Sequence, residues 1–195
     1  MIPCYVSGKG MHATEVTWSF KTSVIETLLK TGLGFDTRYE YYRHQYPDME
    51  SEQLARLICD PMEYYDLDWG AYRDRHKLAL SKEIIATQFM LERDNKFRQQ
   101  AKAAIYCFDE AGFGSGVNCI KLLNEGKPIL GFLSTEYKSK FLNISNVLQL
   151  KAEFPDLIHL VNYQSLHEVN QNIIHWLQEL GLEQQKKNSL IARVC

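Results

Sequence analysis

One stretch constrains this chain more than any other: the apolar run Ala103-Ala104-Ile105-Tyr106-Cys107-Phe108. A continuous run of this length, without polar alternation, is what a strand covered on both faces requires, and such strands sit inside parallel sheets. It passes straight into Asp109-Glu110-Ala111-Gly112-Phe113-Gly114-Ser115-Gly116, a glycine-rich loop. Comparable apolar runs occur at 2–6, 128–133 and 157–161, and helical patterns separate them. The first helix spans about Thr14 to Thr31, with Val16, Phe20, Val24 and Leu28 at every fourth position, Ile25 and Leu29 widening the stripe, and Gly32 as its stop. Others run from near Val117 to Asn124 and from Ser145 to Phe154. The last opens on the capping box Ser165-x-x-Glu168, turns Leu166, Val169, Ile173, Trp176, Leu177 and Leu180 inward, and ends at Gly181, before a polar, mobile tail over 182–195. Strand and helix alternate at both ends of the chain. The expected fold is therefore α/β, a doubly wound, mainly parallel sheet of flavodoxin or Rossmann type.

Residues 36–75 differ in character. They hold seven of the eleven tyrosines and a net charge of −5. Such a segment is too short to bury a core of its own, so it is expected as a largely helical insertion packed on a single domain spanning 1–195. Ser51 to Cys59 has the pattern of a short helix ended by Pro61, and a long helical stretch, in one piece or two, follows from about Trp69 to Lys102.

Charge and cysteine use narrow the function. With 22 basic and 24 acidic residues the chain has no basic field to hold an extended nucleic acid or an anionic membrane. No apolar run approaches a membrane span, and Met1 to Val6 lacks the basic and apolar regions of a secretory signal. The five cysteines form no C-x-x-C pair, which fits a reducing, cytoplasmic setting, with Cys107 and Cys119 as small buried hydrophobes. The histidines show no metal-ligand spacing, and His159, within an apolar strand, is expected in the core.

Two glycine-rich loops leave the carboxyl ends of expected strands, Ser7-Gly8-Lys9-Gly10 and Gly112 to Gly116. Loops of this kind before helices let backbone amides approach an anion, and Lys9 adds a point charge. Neither loop matches the P-loop or the dinucleotide fingerprint.

Tyr5-Val6-Ser7-Gly8-Lys9-Gly10 resembles the opening of the nucleoside 2-deoxyribosyltransferase-like proteins. The order Arg93-Asp94-x-x-x-Phe97-x-x-Gln100-Ala101-Lys102, the strand to Phe108, Gly114-x-Gly116, and Gly126-Lys127-Pro128-Ile129-Leu130 continues the resemblance. It covers about 1–32 and 90–180, and is closest in look to the nucleotide N-glycosidases that cleave 5′-monophosphates. The resemblance implies cleavage or transfer of the N-glycosidic bond of a nucleotide or nucleoside, with no metal and no cofactor. It implies a homodimer, and substrate held by Ser7, Gly8, Lys9, Gly10, Gly114, Ser115 and Gly116.

The family's catalytic aspartate falls on Asp94, and its glutamate on Asn118. An amide cannot serve as carboxylate nucleophile or general base, although it can hydrogen-bond a ribose hydroxyl. Glu110, with Asp109 beside it at the end of the same strand, is the compensating carboxylate the chain order suggests, and Glu83 and Glu92 are more distant candidates. A non-catalytic nucleotide-binding or sensing protein on the same fold is the alternative that Asn118 favours.

Overall fold

A computed structural model of the chain describes residues 1–9, 13–50, 53–54, 57–58, 74, 82–136 and 144–191, with the side chains of 82–87, 89–90, 184 and 186–191 not included. Five strands, β1 (Ile2–Ser7), β2 (Gly34–Asp36), β3 (Ala103–Cys107), β4 (Ile129–Ser134) and β5 (Ile158–Tyr163), form one sheet in the order β2-β1-β3-β4-β5. Every neighbouring pair is parallel. Among the described residues the helices are α1 (Glu15–Thr31), α2 (Thr37–Gln45), α3 (Lys82–Gln100), α4 (Phe113–Asn124), α5 (Ile144–Glu153) and α6 (Leu166–Ile191). The fold is a doubly wound α/β sheet, as the alternating pattern predicts. None of these helices is long and apolar enough to cross a membrane.

The two faces of the sheet follow from the period of two along each strand. Cys4, Val6, Ile105, Cys107, Leu130 and Phe132 face α1 and α6, where they meet Phe20, Val24, Leu28, Val169, Ile173 and Leu177. Tyr5, Ala104, Tyr106, Ile129 and Leu133 face the other way, against Phe97 and Ala101 near the end of α3, Cys119 and Leu122 of α4, and Val147 of α5. Each fully buried large side chain contributes roughly 1.5–3 kcal/mol. Burial pushes the thiols of Cys4, Cys107 and Cys119 up to about 12, so they pack as inert hydrophobes. At the start of α6 the capping box is formed: the Glu168 amide donates to Ser165 Oγ at 3.3 Å and the Glu168 carboxylate accepts from the Gln164 amide at 2.9 Å.

Several boundaries differ from the sequence reading. α4 begins at Phe113, so most of the expected loop from Gly112 to Gly116 is its first turn. Ser115 ties that turn to the β1 loop, donating to the Gly8 carbonyl at 2.5 Å. This tertiary bond overrides the weak helix propensity of glycine, a cost of about 1 kcal/mol per residue. Gly181 does not end α6, which continues to Ile191; positive φ among the described glycines occurs only at Gly32 and Gly126. Gly32 is the left-handed stop of α1, its amide donating to the Leu28 carbonyl at 3.0 Å. Leu29 lies outside the α1 stripe and is exposed. His159 is exposed rather than in the core, because β5 is the edge strand and leaves His159 and Asn162 open to solvent.

β2, three residues long, was not legible in the sequence. Asp36 ends it, accepting from the amides of Arg38 and Tyr39 at 2.9 Å each to cap α2, and from the Val6 amide at 2.9 Å to hold β1. The stretch 36–75 therefore starts inside the sheet layer. Tyr39 and Tyr42 of α2 pack with Ile25 of α1 and with Leu54, Leu57 and Ile58. Tyr64, Tyr65 and Tyr72 lie outside the described residues, as do most of Ser51–Cys59 and the first part of the expected Trp69–Lys102 helix.

Candidate functional site

The order β2-β1-β3 makes the sheet reverse direction of growth between β1 and β3, and ligands bind open α/β sheets at the carboxyl ends of strands at such a point. Ser7 pairs with Tyr106, so the two strands finish level and their loops leave side by side. A cleft of about 530 Å³ opens there, lined by Tyr5, Ser7, Gly8 and Lys9 from β1 and its loop, Arg93 and Asp94 from α3, and Gly112 to Ser115, Asn118 and Lys121 from α4 and its cap. Lys21 of α1 and Arg38 of α2 complete it.

The β1 loop is held from behind. Ser115 donates to the Gly8 carbonyl, and Lys21, only 2 % exposed, donates from Nζ to the Lys9 carbonyl at 2.9 Å. A side chain at Gly8 would press on Thr17 Cγ2 at 3.2 Å and Cys107 Cβ at 3.3 Å, so the close approach of the loop to α1 and β3 favours glycine there. The opposite face of the loop is left to the cleft, together with the first amides of α4, which have no partner carbonyl within their helix.

Asp94 and Asn118 meet across the floor. Asn118 Nδ2 donates to Asp94 Oδ2 at 3.3 Å and to the Tyr5 hydroxyl at 3.3 Å. Arg93 Nη2 contacts Asp94 Oδ1 at 3.3 Å. Burial opposes the Arg93 charge most strongly, but Asp94, with Tyr42 and Tyr5, together outweigh it and the guanidinium pKa is raised. Burial, with Asp94, also raises the Tyr5 phenol, which stays neutral under the Arg38 guanidinium 4.5 Å from its ring centre. Asn118 stands in the second turn of α4, because the helix starts earlier than its glycines suggest.

Of the residues expected at the site, Ser7, Gly8, Lys9, Asp94, Gly114, Ser115 and Asn118 line this one cleft. Gly116 lines instead a neighbouring apolar groove of about 470 Å³ between α4 and α5, which shares Gly112, Phe113 and Val117 with the cleft. Gly10 lies outside the described residues, and the side chain of Glu83 does too. Glu92 is exposed and does not line the cleft.

The two candidate replacement carboxylates are placed elsewhere. Asp109 is buried behind β3, accepting from the Ser134 amide at 2.6 Å and the Tyr163 hydroxyl at 2.5 Å, so it ties β3 to β4 and β5. Glu110 turns to α1, where it accepts from Thr17 Oγ1 at 2.6 Å and the Thr14 amide at 3.3 Å, capping a helix whose own N-cap side chain makes no such bond. Burial works to raise the Glu110 carboxyl, but the bonds from Thr17 and Thr14, with Lys9 nearby, outweigh it and lower the pKa. Glu110→Gln is accordingly expected to cost about 0.5–2 kcal/mol of stability at neutral pH, the range of a helix cap. A depressed acid stabilises the fold above its unfolded pKa and loses that contribution as pH falls through the folded value. The difference between variant and wild type in denaturant titrations should therefore vanish on acidification.

Arg38, Lys21 and Lys121 are not singled out by the sequence, and Arg93 and Tyr5 enter there only as part of the resemblance, with no role at the site. Lys21 carried a legible signal, a lysine one turn from Thr17 and Ile25 on the apolar face of α1. Arg38 could not be seen, since its place depends on β2 and the Asp36 cap.

Fold and cleft together define an α/β protein with a cation-rich cleft at the strand carboxyl ends. Five basic side chains line it against the single carboxylate of Asp94 among the described residues. Comparison of the chain with models of known protein families and with curated proteins gives no match in either case. No cluster of three or more His, Cys, Asp or Glu that could hold a metal ion occurs among the described residues.

Proposed function

We propose that this cleft binds a nucleotide, a nucleoside 5′-monophosphate in the first instance, and that the protein cleaves or transfers its N-glycosidic bond, as the resemblance to nucleoside 2-deoxyribosyltransferase-like proteins implies. The observation that carries the reading is Asp94, held between Arg93 and Asn118 and facing a glycine loop with Lys9. As the bond between C1′ and the base nitrogen breaks, its electrons leave with the base and positive charge grows on C1′ and the ring oxygen. A carboxylate beside C1′ stabilises that charge or bonds to the carbon, and water or a second base then completes C1′. Asn118, hydrogen-bonded to Asp94, supports the reading as a partner for a ribose hydroxyl, and the β1 loop and the α4 N-terminus suit the phosphate. Phe113, 90 % exposed at the edge of the cleft, offers a ring face to the base.

One observation favours a second reading, nucleotide binding without turnover. Asp94 has no carboxylate partner among the described cleft residues, because Asp109 and Glu110 serve the fold. Incubation with a panel of nucleosides and monophosphates, with chromatography for free base, separates the two. Free base supports the enzyme; binding of a monophosphate with no base released supports the sensor.

Lys9→Ala should weaken a monophosphate several-fold more than its nucleoside, measured by calorimetry. Equal losses would remove the phosphate from the β1 loop. A homodimer belongs to the same reading, supported by the exposed Phe113 and Ile120 that line the apolar groove. So does a reducing, cytoplasmic setting, supported by the free buried cysteines at 4, 107 and 119.

A further inference from the structure

We infer that Leu91 of α3 and Phe113 of α4 are the two jaws of an apolar clamp at the mouth of the cleft. The clamp takes the aromatic base of the nucleotide by stacking, which favours a purine over a pyrimidine. The inference deepens the nucleotide reading and rests on it for the sugar and the phosphate.

The topology places the jaws. α3 delivers the chain, through Ala101 and Lys102, to the amino end of β3, and α4 receives it beyond the carboxyl end. Both helices therefore run away from the cleft, and a residue earlier in either one stands nearer its mouth. Asp94 of α3 and Asn118 of α4 mark the floor, joined at 3.3 Å. Leu91 comes one turn before Asp94, on the same face of α3 and about 4.5 Å nearer the mouth at the helical rise. Phe113 opens α4 and stands about 7.5 Å nearer the mouth than Asn118 by the same rise. Both side chains line the cleft, one from each wall.

The second half of the inference comes from how the cleft sorts its lining. Lys9 and Lys21 stand at the β1 loop, and the carboxylate–amide pair stands at the floor. Leu91, 54 % exposed, and Phe113, 90 % exposed, are apolar and open. A single exposed leucine is ordinary on a protein surface, but two large apolar side chains on facing walls of one cleft form a patch that a ligand can cover. Phe113 also borders the groove between α4 and α5, whereas Leu91 lines the cleft and not that groove, so Leu91 reports on the clamp alone. A nucleotide with C1′ beside Asp94 has its base one bond away. Asp94, Asn118 and Tyr5 close the floor, and the β1 loop suits the phosphate. The direction left for the base is the mouth, between Leu91 and Phe113. Stacking gains with the area covered, and the two fused rings of a purine cover more than the single ring of a pyrimidine.

The experiment titrates wild type, Leu91→Ala, Phe113→Ala, the double variant and Lys9→Ala by calorimetry. The probes are adenosine 5′-monophosphate, cytidine 5′-monophosphate, adenosine and ribose 5-phosphate, with circular dichroism to check folding. Both jaws are exposed, so truncating them leaves the fold intact. Wild type should bind the adenosine monophosphate more tightly than the cytidine monophosphate, and both more tightly than ribose 5-phosphate. The ratio of adenosine monophosphate to ribose 5-phosphate affinity should fall about fivefold in Leu91→Ala and about tenfold in Phe113→Ala. In the double variant the two monophosphates should bind alike. An unchanged ratio in Leu91→Ala overturns the clamp, as does an equal loss of monophosphate and ribose 5-phosphate. Cytidine monophosphate bound as tightly as adenosine monophosphate by wild type overturns the purine preference. The nucleotide reading is judged separately, by the dependence of ribose 5-phosphate and the monophosphates on Lys9. Adenosine bound as tightly as its monophosphate, and lost in Leu91→Ala, keeps the clamp and removes the phosphate. A wild type that binds neither removes both.

Discussion

Asp94→Asn is expected to lower release of free base by roughly 10²–10⁴-fold, the usual cost of removing a positioned acid–base or charge-stabilising group. Asparagine preserves the volume and one acceptor oxygen, which serves Arg93 Nη2 at 3.3 Å; the amide nitrogen that replaces Oδ2 faces Asn118 Nδ2, 3.3 Å from it in the wild type, and Asn118 must turn its amide over to accept from it. Folding should survive, and monophosphate binding should change by no more than several-fold. A chromatographic assay for free base, beside calorimetry on the same variant, distinguishes chemistry from binding. Turnover near the wild-type rate would remove Asp94 from the mechanism. Asn118→Glu is the complementary variant. It would set a carboxylate beside Asp94, and two carboxylates so close cannot both ionise freely. One would be held protonated to higher pH and could supply a proton to the leaving base. Where the wild type only binds, gain of activity in Asn118→Glu would show that the rest of a glycosidase site is intact.

The largest effect on stability is expected at Asp109. Asp109→Ala leaves the Ser134 amide and the Tyr163 hydroxyl without their buried acceptor and should cost about 2–5 kcal/mol. Asp109→Asn retains an acceptor for Ser134 and a polar partner for Tyr163, and should cost less than half as much. The pH profile carries a further signature. Burial raises the Asp109 carboxyl, and the bonds from Tyr163, Ser134 and Cys107 only partly offset it. An acid with a raised folded pKa favours the fold most below its unfolded pKa, and that advantage is lost as pH rises through the folded value. The decline should be present in wild type and absent in Asp109→Asn when denaturant unfolding is followed from acid to neutral pH. An alanine variant as stable as wild type would show that Asp109 does not tie β3 to β4 and β5.

Much of the fold was legible in the chain because it depends on burial along single elements. The unbroken apolar runs at 103–108 and 128–133 mark strands covered on both faces, whatever their neighbours are. The stripe Phe20, Val24, Leu28 marks the buried face of α1, and Gly32 its end. Loop position and family resemblance suggest Ser7 to Lys9 and Asp94 as site residues, and the structure brings them to one cleft.

What sequence left open was set by contacts between residues far apart in the chain. Glu110 and Asp109 look alike at the end of β3, yet one caps α1 through Thr17, 93 positions away, and the other is buried against Tyr163, 54 positions away. Gly112 to Gly116 reads as a loop until Ser115 bonds to Gly8 and draws Phe113 to Gly116 into α4. Arg38 and Arg93 become cleft residues only when β2 lies beside β1 and α3 crosses Tyr5. Sequence alone determined which residues are apolar enough to be inside, because that is a property of each side chain and its period. Only the tertiary structure decided which polar groups face the cleft and which brace it, because a buried carboxylate or guanidinium is defined by its partners, and the partners come from other elements.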